Sequence, residues 1–383
     1  MARPFKILVE QDVLDDLHRR LDLYRAPFAT EDRGWEDGIN LRYLGELVAY
    51  WRERFDWLTQ EATLNQLHHY MADIRGTALH FVHERGRGPA PLPLLLVHGW
   101  PDGFQRFARL IPLLTDPAAH GGAAADAFDV VVPSLPGFGF SARGADGPSL
   151  DSFGDLLHDL MTKILGYRRY GAHGGDVGAM VCDQLYRRPG DALAGIHLTN
   201  VSVTASTDDT DGLTDAERDF LTRREDFQKH GGGYAHIQGT KPCTLAVGLN
   251  DSPAGLAAWI VEKMRAWSDC GGDVERRFGK DDLLTNVMLY WVTGSIGTSF
   301  LGYRDMMKPV SPLTAATHDR GARSTAAGFA IFPKDIANAP REWAGRFYNV
   351  RHWSEMPAGG HFAAWEEPEL LAEDIRAFFR PLR

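Results

Sequence analysis

The chain is poor in cysteine: Cys182, Cys243 and Cys270 are the only three in 383 residues. An odd, widely spaced set offers neither a metal-ligand spacing nor a disulfide framework, so free thiols in a reducing compartment are expected. No stretch reaches the roughly 20 apolar residues that a spanning helix needs. Met1 to Lys6 lead directly into an amphipathic pattern, without the apolar core of a signal peptide. A soluble, cytoplasmic protein with no membrane partner is the expectation. Basic runs are also missing, and the formal net charge is −10. An acidic surface repels phosphate backbones, which argues against a nucleic-acid partner. No internal repeat, low-complexity tract or metal-binding motif is visible, and no cofactor is expected.

Apolar residues make up 44% of the chain, enough for a sizeable core in one decorated domain or two. Val13, Leu14, Leu17, Leu21 and Tyr24 recur at helical spacing, as do Leu44, Leu47, Val48 and Trp51. A third apolar group, Leu64, Leu67 and Tyr70, follows. These helices are too few for a core of their own and must pack on something else. The period then changes. Leu79–His83 looks like a strand, and the apolar runs Leu94–Val97, Phe128–Val132, Tyr170–His173 and Leu193–Leu198 suit strands buried on both faces. Helical segments such as Val177–Arg187 separate them, which predicts an α/β fold with a mostly parallel sheet.

The alternation stops between Ser202 and Asp305. An acidic turn, Asp208 to Gly212, precedes helices, the first opened by a capping box at Thr214 and Glu217. Pro253 fits the first turn of another helix, and Asp281–Trp291 forms one more. An all-helical insertion in an α/β chain reads as a lid. Strands at Gly328–Phe332 and Val350–Met356, and a closing helix at Pro368–Phe379, resume the pattern. The resulting division is 1–85 as an N-terminal helical meander, 86–201 as the first part of the core, 202–305 as the lid, and 306–383 as the second part of the core.

Three short motifs at strand ends carry the chemistry. Gly174-Gly175-Asp176-Val177-Gly178-Ala179 lies between a strand and a helix. Small residues around a central nucleophile define the sharp elbow of the α/β-hydrolase fold. No Gly-x-Ser-x-Gly occurs, and here the exposed side chain is Asp176. His98-Gly99-Trp100-Pro101 follows the strand Leu94–Val97, where this fold supplies one backbone N–H of an oxyanion hole. Trp100 is assigned that donor, and Val177, next to the nucleophile, the other. Gly359-Gly360-His361-Phe362 falls where the fold places its histidine, after the nucleophile and the acid in chain order.

An aspartate nucleophile restricts the reaction. A carboxylate attacks an sp³ carbon to give an ester, which water activated by histidine can hydrolyse. A serine on the same carbon would leave an inert ether. The substrate is therefore expected to be an epoxide or an alkyl halide.

Along essentially its whole length the chain resembles the microsomal-type epoxide hydrolases. The resemblance rests on Arg3-Pro4-Phe5-Lys6, Tyr50-Trp51-Arg52, Phe55-Asp56-Trp57, His98-Gly99-Trp100-Pro101, Pro133 to Ser141, Gly174-Gly175-Asp176, Asn250-Asp251-Ser252-Pro253, Asp281 to Asn286, and Gly359 to Ala364. It implies two lid tyrosines, Tyr234 and Tyr303, that donate hydrogen bonds to the epoxide oxygen. It also matches the charge-relay acid to Asp335, one methylene shorter than the glutamate common in the family, with Glu355 as the rival. Val177 stands where many relatives carry an aromatic. Trp100, Val177 and Phe300 are candidate substrate-binding residues, and Trp259, Trp267 and Trp291 further pocket aromatics. A small epoxide, aromatic or apolar, is the expected partner, with a homodimer as a further expectation. The Arg-rich, Lys-poor composition and the missing anchor helix resemble soluble actinomycete enzymes of natural-product pathways, enediyne antibiotic biosynthesis among them. A haloalkane dehalogenase shares the fold and nucleophile, but it holds its halide with an aromatic N–H after the nucleophile, which Val177 cannot supply. A non-catalytic ligand-binding relative would have no need of His361.

Overall fold

The computed structural model describes residues 1–28, 33–142, 149–202, 211–307 and 325–383. Among these residues nine strands form one sheet: β1 (Arg3–Pro4), β2 (His69–Ile74), β3 (Thr77–Glu84), β4 (Leu92–Val97), β5 (Phe128–Pro133), β6 (Tyr170–Gly174), β7 (Leu193–Leu198), β8 (Ala326–Ile331) and β9 (Val350–Glu355), in the spatial order β1-β2-β3-β5-β4-β6-β7-β8-β9. From β5 onward every neighbouring pair is parallel. The β1–β2, β2–β3 and β3–β5 pairs are antiparallel. The fold is the α/β-hydrolase fold with a mostly parallel sheet. Leu94 to Val97 and Val130 to Val132 are fully buried, as central strands covered on both faces require.

Among the described residues three helices lie between β1 and β2: α1 (Gln11–Asp22), α2 (Leu41–Glu53) and α3 (Trp57–Leu64). They bury the stripes read from the sequence: Leu14, Leu17 and Leu21 on α1, and Leu44, Leu47, Val48 and Trp51 on α2. The helical expectation for residues 1–85 needs correction beyond Leu64. Tyr70 belongs to β2, not to a third helix, and stacks on Phe81 of β3 with ring centroids 5.6 Å apart. Such a cross-strand aromatic pair rewards the extended form over the helix that the Leu64–Leu67–Tyr70 spacing suggested.

Helices α4 (Leu110–Thr115), α5 (Phe153–Asp159) and α6 (Val177–Arg187) alternate with the central strands. Between β7 and β8 lie α7 (Asp215–His230), α8 (Gly233–Thr240), α9 (Pro242–Asp251), α10 (Pro253–Ala266), α11 (Lys280–Thr293), α12 (Ile296–Ser299) and α13 (Leu301–Met306). Thr214 and Glu217 close the capping box of α7 reciprocally. Asp208, Asp209 and Thr210 of the expected acidic turn lie outside the described residues. The closing helix spans Pro368–Phe379, as its pattern predicted. Among the described residues no helix is long and apolar enough to cross a membrane.

Candidate active site

Asp176 sits between β6 and α6 with φ 55° and ψ −126°, a left-handed conformation that a non-glycine residue adopts only when its surroundings enforce it. Glycine makes the turn feasible. A Cβ on Gly178 would lie 2.1 Å from the Val97 carbonyl oxygen, and one on Gly99 2.4 Å from Asp176 Oδ1. The elbow thus lets the α6 backbone press against the end of β4 while the carboxylate reaches over Gly99. Asn200, just beyond β7, accepts a hydrogen bond from the Asp176 N–H at 2.8 Å and fixes the turn from the other side.

One carboxylate oxygen, Oδ1, accepts a hydrogen bond from the Trp100 N–H at 2.8 Å. The other, Oδ2, faces His361 Nε2 at 3.6 Å. Burial alone would raise the Asp176 pKa. The facing imidazole and the backbone N–H groups of Trp100 and Val177 outweigh it and hold the carboxyl below its ordinary value. At neutral pH Asp176 is a carboxylate.

His361 Nδ1 lies 2.7 Å from Asp335 Oδ1, and both side chains are at most 5% exposed. Nε2 is buried, makes no hydrogen bond among the described residues, and faces Asp176. Burial pulls the imidazole pKa down, but Asp335 and Asp176 together raise it to about 10. The resting site therefore holds an imidazolium between two carboxylates. Glu355 ends β9 as an exposed residue, so of the two acids read from the sequence it is Asp335 that meets the histidine.

The loop carrying His361 is clamped on several sides. Its N–H donates to the Trp267 carbonyl at 2.8 Å. The Gly359 N–H donates to Asp269 and the Phe362 N–H to Glu366, both at 3.0 Å. Arg106, paired with Asp102, donates to the His361 carbonyl at 3.1 Å. The segment Trp267–Asp269 belongs to the helical insertion, so the insertion helps hold the His361 loop.

Above the carboxylate the insertion and the core build an aromatic cluster. Trp100 stacks on Tyr234 at 5.2 Å with 9° between the planes, and meets Tyr303 edge-on at 5.8 Å. Phe300 and Trp267 pack on Trp100 at 6.3 and 6.2 Å, and Trp267 also meets His361 edge-on at 5.2 Å. The rings of Tyr234 and Tyr303 are 5.8 Å apart. Burial raises both phenol pKa values, and the nearby Asp176 charge adds to the rise.

Trp100, Val177, Phe300, Tyr234 and Tyr303 thus gather around Asp176 and His361. Trp267 joins them. Trp259 instead donates to Gln238 at 2.9 Å, and Trp291 packs under Arg20 of α1 at 5.7 Å. Asn200, Arg106 and Glu366 escaped the sequence reading, because a lone polar residue carries no signal until the fold shows which backbone atom it holds. Among the described residues no group of three or more His, Cys, Asp or Glu could hold a metal ion.

An α/β-hydrolase fold with an aspartate elbow, a paired histidine and two facing tyrosines defines a class, and comparison with known proteins narrows it. A family model described as epoxide hydrolase N terminus matches residues 2–107, and one for the alpha/beta hydrolase fold matches residues 93–230. Epoxide hydrolase 1 of Oryctolagus cuniculus is 37% identical over 403 residues, covering 98% of this chain and 88% of the relative. The structure of Aspergillus niger epoxide hydrolase superposes with a TM-score of 0.85 at 30% identity, covering 100% of this chain and 97% of that one. The juvenile hormone epoxide hydrolase of Bombyx mori superposes with a TM-score of 0.88 at 29% identity, covering 100% of this chain and 95% of that one. The chain belongs to the epoxide hydrolase family and is an epoxide hydrolase.

Proposed function

We propose that the enzyme opens an epoxide through a covalent ester on Asp176 and releases the vicinal diol by hydrolysis with His361 as base. The observation that carries this reading is the split environment of the Asp176 carboxylate. Oδ1 is held by the Trp100 N–H, while Oδ2 faces the histidine.

In the first step an Oδ2 lone pair forms a bond to an epoxide carbon. The ring C–O bond breaks, and its electron pair stays on the epoxide oxygen, which takes a proton from the Tyr234–Tyr303 pair. Esterification removes the Asp176 charge and with it one of the two carboxylates that hold the His361 proton. The His361 proton then passes to the tyrosinate, which restores the tyrosine and leaves a neutral imidazole. In the second step His361, oriented by Asp335, takes a proton from water, and the hydroxide adds to the ester carbon. Oδ1 becomes the oxyanion, facing the N–H groups of Trp100 and Val177. Collapse expels the diol with the remaining proton, and the resting carboxylate and imidazolium are restored.

The ring-lined site favours an aromatic or apolar epoxide, and residues 202–305 serve as its lid. Aryl epoxides should be turned over faster than short alkyl epoxides of equal reactivity. The arginine-rich composition fits a role in bacterial secondary metabolism, which deletion of the gene and analysis of accumulated epoxides would test. The covalent step is tested by a single turnover in ¹⁸O-water. The expected diol carries only ordinary oxygen, and the Asp176 peptide gains the label. Label in the first-turnover diol with an unlabelled carboxylate would mean that water attacks the epoxide directly.

A further inference from the structure

The oxyanion donor Trp100 lies on the loop Gly99–Gly103, which has no regular structure of its own. Two carbonyls of this loop are captured by one face of α11. Asn286 Nδ2 donates to the Pro101 carbonyl at 2.8 Å, and the Tyr290 hydroxyl donates to the Asp102 carbonyl at 2.8 Å. Asn286 and Tyr290 are four residues apart, so they share a helix face. Both are buried, at 0% and 3% exposure. Asn286 is itself oriented by Gln105, whose Nε2 donates to its Oδ1 at 2.5 Å. Within the loop, the Gly99 N–H donates to Asp102 Oδ1 at 3.1 Å.

A buried carbonyl accepts such bonds in preference to being left bare, so these two contacts fix the two peptides that follow Trp100, and the Gly99–Asp102 bond ties them back to the residue before it. We infer that Asn286 and Tyr290 are positioning residues that hold the oxyanion donor from the helical insertion, and that they act on ester hydrolysis rather than on ester formation. This inference rests on the oxyanion role proposed for Trp100.

The selectivity follows from where charge appears. In the resting enzyme the Trp100 N–H binds a carboxylate. During ring opening that carboxylate loses charge, so a weaker donor does not raise the barrier. During hydrolysis Oδ1 gains a full charge, and a misplaced donor raises the barrier directly. Tyr290 is not a third proton donor to substrate in this arrangement, because its hydroxyl is committed to the Asp102 carbonyl.

The test is single-turnover quenched flow with styrene oxide, following the ester by intact-protein mass. The variants are Tyr290→Phe, which keeps the ring packing, Asn286→Ala, and Val287→Ala as a control that loosens α11 without touching either bond. Tyr290→Phe and Asn286→Ala should slow ester decay on the order of 10- to 100-fold with little change in ester formation, so that the ester accumulates. Val287→Ala should leave the ratio of the two rates unchanged. An unchanged ratio in Tyr290→Phe, or an equal change in Val287→Ala, overturns the inference while leaving the covalent mechanism standing. If neither the wild type nor His361→Gln ever forms an ester, the covalent mechanism falls and the inference falls with it.

Discussion

His361 Nε2 stands 3.6 Å from Asp176 Oδ2, beyond direct hydrogen-bonding distance. The ion pair is thus open enough for the proposed attack of the carboxylate on a substrate, with the imidazole still facing it. In the proposed ester the same nitrogen would point at the carbon that water must reach. On the proposed mechanism one geometry serves two steps, because the charge of Asp176 changes between them.

Removing the base should therefore separate the steps. His361→Gln is expected to form the ester and fail to release it. Intact-protein mass spectrometry after mixing with an epoxide should show an adduct of the whole epoxide mass, located on the Asp176 peptide. Asp176→Ala should show none. Normal turnover by His361→Gln would contradict the assignment.

The tyrosine pair should matter to the other step. Tyr234→Phe and Tyr303→Phe should each slow ring opening by on the order of 10²–10³, since each removes one donor to the oxygen that gains charge. The effect belongs in the ester-formation phase of a single turnover. Two variants with near-wild-type rates would take the pair out of the mechanism.

Asp335→Asn should slow ester hydrolysis more than ester formation, by on the order of 10²–10⁴, because the acid fixes the imidazole tautomer and stabilises its charged form. The His361 proton resonance, which should titrate near pH 10 in the wild type, should titrate at lower pH in this variant and in Asp176→Ala. Glu355→Gln should change neither property. A larger defect in Glu355→Gln would reassign the acid.

Acid should destabilise the fold well before carboxylates titrate. Burial lowers the pKa of His69, His80, His98 and His173, and brings His83 to about 4. The unfolded chain therefore binds more protons than the folded one below the ordinary histidine value of about 6.5. Stability should be fully present above that value and should fall as the pH drops toward 4, read as a declining Tm. His361 has the opposite sign. Its raised pKa contributes stability that is complete below about 6.5 and lost as the pH rises through about 10. A Tm that is flat between pH 7 and pH 5 would contradict the acid-side expectation.

Most of the sheet was legible because buried parallel strands are continuous apolar runs, as at Leu94–Val97 and Leu193–Leu198. The elbow was legible because only small residues permit the approach that Gly99 and Gly178 show. The two strands at His69–Glu84 were half missed. Tyr70 and Leu67 fit a helical period by accident, and the pairing that decides the matter lies across a turn at Arg75–Gly76. The resemblance pointed to Asp335 as the acid with Glu355 as its rival, and in the structure it is Asp335 that lies against the histidine. Asn286 stood within a noted motif, but its purpose depends on a carbonyl 185 residues away in the chain.

The antiparallel flank β1-β2-β3 has one further consequence. Strand β3 pairs with β5 through Phe81, Val82, His83 and Glu84. A chain shortened to begin after residue 85 would leave the outer rim of β5, with Val130, Val131 and Val132, bare of its hydrogen-bonding neighbour. An uncapped apolar rim of that kind recruits strands from other molecules. The first eighty-odd residues thus guard against self-association, and fragments cut at that point should precipitate rather than survive as smaller enzymes.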